Sequence, residues 1–212
     1  MNFHIPVMSS RILDFLVTRK DGIYVDCTLG GGGHSEEIIK KIYPDGLLIG
    51  LDQDIEALEF SRERLSDYKD NIILLKSNFI SLKLLLQDLG FKNISGILFD
   101  LGLSSHQVDT KSRGFSFLEE NLLDMRMDLS KQIDACYIVN NYSDQELVEI
   151  FSKYGEERFS RSIARLIVRE RKKTKIKTTR HLAKLVTDIY ARYKKKRDRK
   201  STRLNSSHRY VS

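Results

Sequence analysis

The chain has 212 residues, 41% of them hydrophobic and 31% charged, which is enough to bury a substantial core and excludes a disordered tail. It contains no run of 18 apolar residues, so neither a membrane span nor a secretory signal is predicted, and we expect a cytoplasmic protein. The net charge of +7 comes entirely from residues 158–212, which hold 20 Lys and Arg against 3 Asp and Glu and therefore suggest contact with a polyanion.

The first half of the chain alternates short β-branched runs with amphipathic helical ones. We predict strands and helices at residues 23–26 (strand), 34–42 (helix), 47–51 (strand), 54–67 (helix), 71–75 (strand), 79–89 (helix) and 94–99 (strand). This alternation is typical of parallel βαβ units. The sequence therefore predicts a doubly wound α/β fold whose ligands bind at the carboxyl ends of the strands.

The pattern changes after residue 100. Residues 101–130 are rich in Gly, Ser and Asp and are predicted to form loops near the site, and helices are predicted at 143–154, 156–172 and 178–193. No further strand is predicted, so a sheet of four strands would leave an edge uncovered. We expect that either the helices fold back over this edge or the chain is incomplete.

A glycine-rich segment, residues 30–33, follows the first predicted strand and opens a predicted helix. Glycines let the backbone pass close to a ligand, and a helix N-terminus offers unpaired amides. Asp52, at the end of the second predicted strand, is placed to accept hydrogen bonds from ribose hydroxyls. The pattern predicts an adenosine-containing cofactor, either S-adenosylmethionine or a nicotinamide dinucleotide; the alternative is a glycine-rich turn without a ligand.

Two carboxylates favour S-adenosylmethionine over the dinucleotide. Asp26 precedes the glycines and suits a cofactor with a cationic amino acid portion better than one with a pyrophosphate, which it would repel. Asp100 follows the fourth predicted strand, where a substrate amine would have to be held in line with the sulfonium methyl group. The alternative for Asp100 is a residue that caps the next turn.

A second segment reads Asp124-Met125-Arg126-Met127-Asp128, with an arginine between two methionines and a carboxylate at each end. These side chains could bind a base edge and a phosphate, or they could form a salt-bridged loop. No metal site is predicted, because His34 and His106 have no Cys or His at ligand spacing. The two cysteines likewise share no short spacing and are expected to be reduced.

The basic segment has a helical period. Arg158, Arg161, Arg165 and Arg169 recur at helical spacing and predict one stripe. Hardly any acidic residue is available to pair with them along a helix, so phosphate contact explains the stripe better than a solvated helix face does. Such binding would be sensitive to salt and largely independent of base sequence.

Five segments in this order closely resemble the bacterial 16S ribosomal RNA N4-methylcytidine methyltransferases, the RsmH or MraW family: residues 26–35, 96–105, 113–117, 124–128 and 153–159. Residues 4–8 fit as well, and the match extends from about residue 4 to about residue 193. The resemblance implies a Rossmann-like class I fold dependent on S-adenosylmethionine, with an incomplete parallel sheet and an inserted helical substrate domain. It also implies N4-methylation of a specific cytidine in the decoding region of the small-subunit RNA.

The family pattern also assigns residues by position. It implies cofactor contacts at Gly32, Gly33, His34, Asp52, Phe79, Asp100 and Gln107. We expect Asp100 to orient the target amine as well. We expect substrate contacts at Asp124, Arg126, Asp128, Arg158, Arg161 and Arg165.

The end of the chain departs from the family. The family continues through further strands that are absent here, and residues 200–212 resemble linker sequence rather than the family, so a truncated product is expected. The predicted domains are residues 1–108 for cofactor binding and 109–199 for a truncated helical insertion, followed by the non-native tail. The alternative function is an inactive fragment that only binds RNA or the adenosine cofactor.

Overall fold

The computed structural model describes the backbone of residues 9–207 and the side chains of residues 11–104 and 106–195. The chain divides into two compact units. The first comprises Met1–Gln107 and Met127–Ser130, and the second comprises Val108–Arg126 and Lys131–Ser212. The short segment Met127–Ser130, which lies inside the predicted insertion 109–199, therefore packs with the first unit.

The first unit contains a sheet of four parallel strands. They are β1 (Ile23–Asp26), β2 (Leu47–Asp52), β3 (Ile72–Lys76) and β4 (Gly96–Leu98). Their order in the sheet is β3-β2-β1-β4, which is the order of a Rossmann-like half-sheet. Each strand begins and ends within two residues of its predicted position, and the predicted α/β fold with a parallel sheet is confirmed.

Four of the described helices belong to the first unit: α1 (Ser9–Leu16), α2 (Gly33–Ile42), α3 (Ile55–Arg64) and α4 (Leu82–Asp88). Helix α5 (Ser105–Asp109) begins in the first unit and ends in the second, because the boundary between the units follows Gln107. Alternate strand residues face opposite sides of the sheet, so Tyr24 and Leu48 pack with Ile38 of α2, whereas Val25 and Ile49 belong to a second core cluster. The sheet is therefore covered by apolar contacts on both faces. Helix α5 was not predicted, because its five residues are too short for a periodic pattern.

The second unit is helical: α6 (Ala135–Asn141), α7 (Asp144–Lys153), α8 (Ser160–Arg171) and α9 (Thr179–Ser207). Helix α8 begins four residues after its predicted start at 156, because Glu156 has a φ of +49°, a left-handed conformation that a helix excludes. Residues 200–207 of the predicted tail continue α9, and 208–212 lie outside the described residues. Helix α6 was not predicted.

Two polar side chains connect α6 to the rest of the second unit. Asn140 donates a hydrogen bond to the carbonyl of Ile176 at 2.7 Å and accepts one from its N–H at 3.0 Å. Arg171, at the end of α8, donates to the carbonyls of Val139 and Tyr142 at 2.9 and 2.6 Å. Because carbonyls at a helix C-terminus lack partners within the helix, Arg171 satisfies groups that α6 leaves unpaired.

The surface near β4 is unusually apolar. Strand β4 pairs with β1 alone among the described strands, and Ile97, Phe99 and Leu101 are 40%, 47% and 72% exposed. An edge strand with exposed apolar neighbours is a favourable place for further association.

Among helices of the described chain, none is long and apolar enough to cross a membrane.

Candidate functional site

A cavity of about 360 Å³ lies at the carboxyl ends of the four strands, entirely within the first unit. Each strand contributes to its wall: Leu29 follows β1, Asp52 ends β2, Ser77 follows β3 and Asp100 follows β4. Ligands of doubly wound sheets bind at this place, because the loops after parallel strands converge there. The cavity is therefore the candidate ligand site.

Most of the residues expected to bind a cofactor meet at this cavity. Those that line it are Gly33, His34, Asp52, Phe79, Asp100 and Gln107. Gly32 is not among the lining residues and instead forms the N-cap of α2. The sequence thus located the cavity wall well, although contact with a cofactor stays a prediction.

The glycine-rich segment is held in a shape that requires glycine. Gly30 and Gly32 have φ angles of +51° and +71°, which side chains rarely tolerate. A Cβ atom on Gly32 would lie 2.9 Å from the hydroxyl of Ser61, and that hydroxyl donates to the carbonyl of Gly30 at 2.9 Å. The loop is therefore packed directly against α3.

Asp26 holds the two ends of this loop by hydrogen bonds. Its side chain is buried and accepts hydrogen bonds from the N–H of Thr28 at 3.0 Å and the hydroxyl of Ser35 at 2.8 Å. Burial raises the pKa of Asp26, since the charged form is desolvated. Asp26 is not on the cavity wall, so it positions the residues around it and does not face a cationic ligand as its sequence position suggested.

Asp52 presents a fixed carboxylate to the cavity. One oxygen accepts from the N–H of Gly30 at 2.8 Å, and the other accepts from the N–H of Asp54 at 2.9 Å. Burial raises the pKa of Asp52, while these two donors oppose the change. Each carboxylate oxygen can accept more than one hydrogen bond, so Asp52 retains the capacity to bind a pair of hydroxyls.

His34 and Asp100 form a loose pair across the cavity. The Nε2 atom of His34 is buried and lies 3.5 Å from a carboxylate oxygen of Asp100, within ion-pair distance but without a hydrogen bond. The Asp100 side chain is 59% exposed, and its backbone N–H donates to the Thr28 hydroxyl at 2.7 Å. A buried imidazole nitrogen without a hydrogen-bond partner at a cavity wall is suited to receive a polar ligand atom.

Gln107, one of the expected cofactor contacts, is held in place by Asp54. Asp54 caps the N-terminus of α3 and accepts a hydrogen bond from the Gln107 amide at 3.0 Å, and the Gln107 carbonyl accepts from the N–H of Ser104. This arrangement fixes the loop after β4 to the start of α3. Asp54 was not among the predicted site residues, although an Asp directly before a helix is a typical cap signal.

Met127 also lines the cavity and was not singled out as a site residue. It lies beside Asp128, whose carboxylate pairs with Lys76 at the end of β3 at 3.0 Å and accepts from the Ser130 hydroxyl at 2.7 Å. These partners lower the pKa of Asp128 to about 2. The ion pair fastens the Met127 segment to the first unit.

The three residues of the acidic segment do not form one cluster. Asp124 pairs with Arg126 at 2.6 Å in the second unit, whereas Asp128 belongs to the first. The hydrogen bond from Arg126 lowers the pKa of Asp124. Buried Arg113 donates to the carbonyl of Arg126 at 3.0 Å, so this part of the chain has the salt-bridged character that was the alternative from sequence.

The predicted arginine stripe is divided. Arg161 and Arg165 are exposed one turn apart on α8, with Arg169 a further turn along. Arg158 lies in the turn before the helix, and its guanidinium is 4.4 Å from the centroid of the Phe159 ring. Helical spacing alone predicted a four-residue stripe, but the left-handed residue Glu156 delays the start of α8 and leaves Arg158 outside it.

Neither cysteine is in a disulfide, and Cys27 is buried. Burial raises the pKa of the Cys27 thiol to about 11. The part of the chain that the structure describes contains no group of three or more His, Cys, Asp or Glu that could hold a metal ion.

Comparison with known proteins gives consistent matches. The family described as the MraW methylase family matches residues 1–207. Proteins named ribosomal RNA small subunit methyltransferase H from Clostridium botulinum (strain Loch Maree / Type A3) and Caldicellulosiruptor bescii are each 47% identical, over 86% and 90% of this chain. A protein of the same name from Halothermothrix orenii is 46% identical over 87% of it. The matched parts are 59%, 62% and 59% of those proteins, so the chain spans less than two thirds of their length.

Proposed function

The chain belongs to the MraW methylase family, and from this premise we propose that it binds S-adenosylmethionine and serves in methylation of small-subunit ribosomal RNA. The finer proposal is transfer of a methyl group to the exocyclic N4 of a specific cytidine in the decoding region of 16S RNA. The observation that carries the proposal is the cavity at the carboxyl ends of the strands, where a glycine loop, Asp52, His34 and Asp100 converge.

The residues of the cavity fit the chemistry of this cofactor. Asp52 can accept hydrogen bonds from both ribose hydroxyls, and Phe79 offers a ring that an adenine can contact. Asp100 supplies a negative charge for an α-amino group, and the buried Nε2 of His34 can bond to a polar atom of the ligand. Two carboxylates, Asp52 and Asp100, line the cavity and no Lys is among its lining residues, which suits a cationic ligand better than a pyrophosphate.

The protein has to orient the target amine toward the methyl group in this reaction. S-adenosylmethionine, when bound, supplies an electrophilic methyl group. The amino group of cytosine is a weak nucleophile, since its lone pair is delocalised into the ring. We propose that Asp100 accepts a hydrogen bond from this amine, which localises the lone pair and aligns it for attack. The target base must leave any stack to reach the cavity.

The RNA contacts of the proposal lie mainly in the basic segment. Arg158, Arg161 and Arg165 would contact phosphates, because all three are exposed and acidic residues are scarce around them. We also propose substrate contacts at Asp124, Arg126 and Asp128 in which the ion pairs described above fix the orientation of the side chains. The phosphate contacts of the three arginines position the RNA and do not read its sequence.

Calorimetric titration and methyl transfer test the proposal together. The chain should bind S-adenosylmethionine and not a nicotinamide dinucleotide, and it should transfer a labelled methyl group to undermethylated small subunits. Asp100→Ala should lose transfer at saturating cofactor, whereas Asp88→Ala, a change at an exposed site on α4, should not. If Asp100→Ala bound cofactor poorly but methylated normally at saturation, Asp100 would be a binding residue only. Failure of the unmodified chain to bind S-adenosylmethionine would refute the proposed function of this chain.

A second candidate is a polypeptide that binds RNA or cofactor without catalysing transfer. The exposed apolar side chains Ile97 and Phe99 at the edge strand β4 favour it, because an exposed apolar surface beside an edge strand is typical of a site of association. Binding of S-adenosylmethionine without methyl transfer, by a folded chain, is the result that this candidate requires.

A further inference from the structure

A second cleft, of about 640 Å³, lies in the second unit between the turn before α8 and the middle of α9. The residues that line it are Arg158, Phe159, Tyr190, Ala191, Tyr193 and Lys194. None of them lines the cofactor cavity. Only Arg158 was singled out from sequence, and nothing in the helical spacing of the arginines indicated that three aromatic rings would gather beside it.

The rings of this cleft form an ordered stack. Phe159 and Tyr193 are stacked with centroids 4.2 Å apart and an interplanar angle of 23°, and Tyr190 meets Phe159 edge-on at 5.0 Å. The guanidinium of Arg158 lies over the Phe159 ring. Tyr190 and Tyr193 remain 41% and 42% exposed, so a planar ligand can reach ring surface that the stack does not use.

Hydrogen bonds hold these rings in place before any ligand binds. The Tyr190 hydroxyl donates to one oxygen of Glu157 at 2.6 Å, and the other oxygen accepts from the N–H of Phe159 at 2.7 Å. The Tyr193 hydroxyl lies 3.0 Å from that of Ser162. Because the rings are already fixed, binding a ligand would cost little side-chain entropy.

The positive charge around the cleft favours an anionic ligand. Residues 158–195 hold 14 Lys and Arg against 2 Asp and Glu, and Arg158 and Lys194 lie in the cleft itself. Glu157 is the acidic group beside the rings, and both of its oxygens accept hydrogen bonds. Aromatic faces bordered by cations match single-stranded nucleic acid, since its bases expose π faces and its phosphates are anionic. A duplex conceals those faces.

We propose that this cleft binds an unpaired base of a single-stranded RNA segment by stacking on Tyr193, with Arg158 and Lys194 contacting the flanking phosphates. The inference rests on the proposed function for the identity of the nucleic acid. It adds a stacking site to a surface that was otherwise expected to contact phosphates alone.

Fluorescence anisotropy with a labelled oligocytidylate of about 12 nucleotides tests the proposal on the full chain. Tyr193→Leu should weaken binding about tenfold, because it removes the stacking face, whereas Tyr193→Phe should keep most of the affinity. Tyr154→Leu is the matched control, as an exposed tyrosine outside the cleft. The chain has nine Tyr and no Trp, so quenching of its intrinsic fluorescence should accompany binding and should diminish in Tyr193→Leu.

Three results would overturn the stacking site: equal affinity for single-stranded and duplex RNA, unchanged binding by Tyr193→Leu, or equally strong competition by polyglutamate, which would indicate an acidic protein partner. Circular dichroism checks that each variant folds, and Tyr190→Leu replaces Tyr193→Leu if the latter does not. Titration with S-adenosylmethionine separates the two proposals. Cofactor binding without discrimination between RNA forms refutes the cleft alone, and stacking without cofactor binding refutes the proposed function alone.

Discussion

Replacing Gly32 by Ala should destabilise the first unit more than the same replacement at Gly90. Both glycines have positive φ angles, +71° and +81°, so each variant places alanine in the left-handed region at a cost of about 1 kcal/mol. At Gly90 an added Cβ would meet nothing within 4 Å, and this strain is the whole expected effect. Gly90→Ala therefore measures the conformational cost by itself.

At Gly32 the added methyl group also meets α3. Its Cβ would lie 2.9 Å from the Ser61 hydroxyl and 3.3 Å from the Ser61 Cβ, both closer than ordinary contact. Either Ser61 rotates and gives up its hydrogen bond to Gly30, at about 1 kcal/mol, or the loop shifts at about 1–3 kcal/mol of overpacking. The total for Gly32→Ala is then about 2–4 kcal/mol, against about 1 kcal/mol for Gly90→Ala.

Urea unfolding measures the free energy of unfolding of both variants, and calorimetric titration with S-adenosylmethionine measures how each change in a glycine affects cofactor binding. Gly32→Ala should weaken cofactor binding, whereas Gly90→Ala should not. Adding Ser61→Ala to Gly32→Ala should restore part of the stability, because it removes the nearest atom. Equal destabilisation by Gly32→Ala and Gly90→Ala, or no coupling between Gly32→Ala and Ser61→Ala, would show that contact with α3 does not constrain the loop.

Asp128→Asn should be less stable than the unmodified chain at neutral pH, and this difference should disappear between about pH 4 and pH 2. The reason is that Ser130 and Lys76 lower the pKa of the Asp128 carboxyl from 3.8 to about 2. Urea unfolding at several pH values measures the difference, and a difference that does not change with pH would contradict the prediction. Asn140→Ala should cost about 2 kcal/mol, mainly because it loses the two hydrogen bonds between α6 and the backbone of Ile176. Asn141→Ala, whose side-chain amide bonds only to the Tyr137 carbonyl within α6, should change stability by less than about 0.5 kcal/mol. Iodoacetamide at pH 8 should modify Cys27 of the folded chain at least about 100-fold more slowly than Cys27 of the urea-unfolded chain, because the thiol pKa in the folded chain is about 11. Mass spectrometry measures both rates, and equal rates would refute the burial of the thiol.

Much of the first unit was predictable because its signals are local. The strands β1 to β4 were placed within two residues, since β-branched runs and amphipathic periods are properties of neighbouring residues. The failures were also local in origin. Helices α5 and α6 are five and seven residues long, too short for periodicity to be distinguished from a loop.

The cavity wall was predictable for a related reason. Parallel strands direct their carboxyl ends to one edge, so Asp52 and Asp100 had to lie near the glycine loop once the strands were assigned. The roles of individual carboxylates did not follow. Asp26 bonds to Thr28 and Ser35, and Asp54 bonds to Gln107, because partner choice depends on rotamers and on segments distant in sequence.

The sequence by itself determined the parallel α/β sheet, the glycine loop and the concentration of positive charge after residue 157, because each depends on composition or on spacing along the chain. Only the tertiary structure decided that Asp124 and Asp128 belong to different units. It also decided that Phe159 stacks on Tyr193 of α9, which lies more than thirty residues further along the chain. Contacts of this kind are chosen by packing and by the closest available hydrogen-bond partner, and neither is recorded in the local pattern of residues.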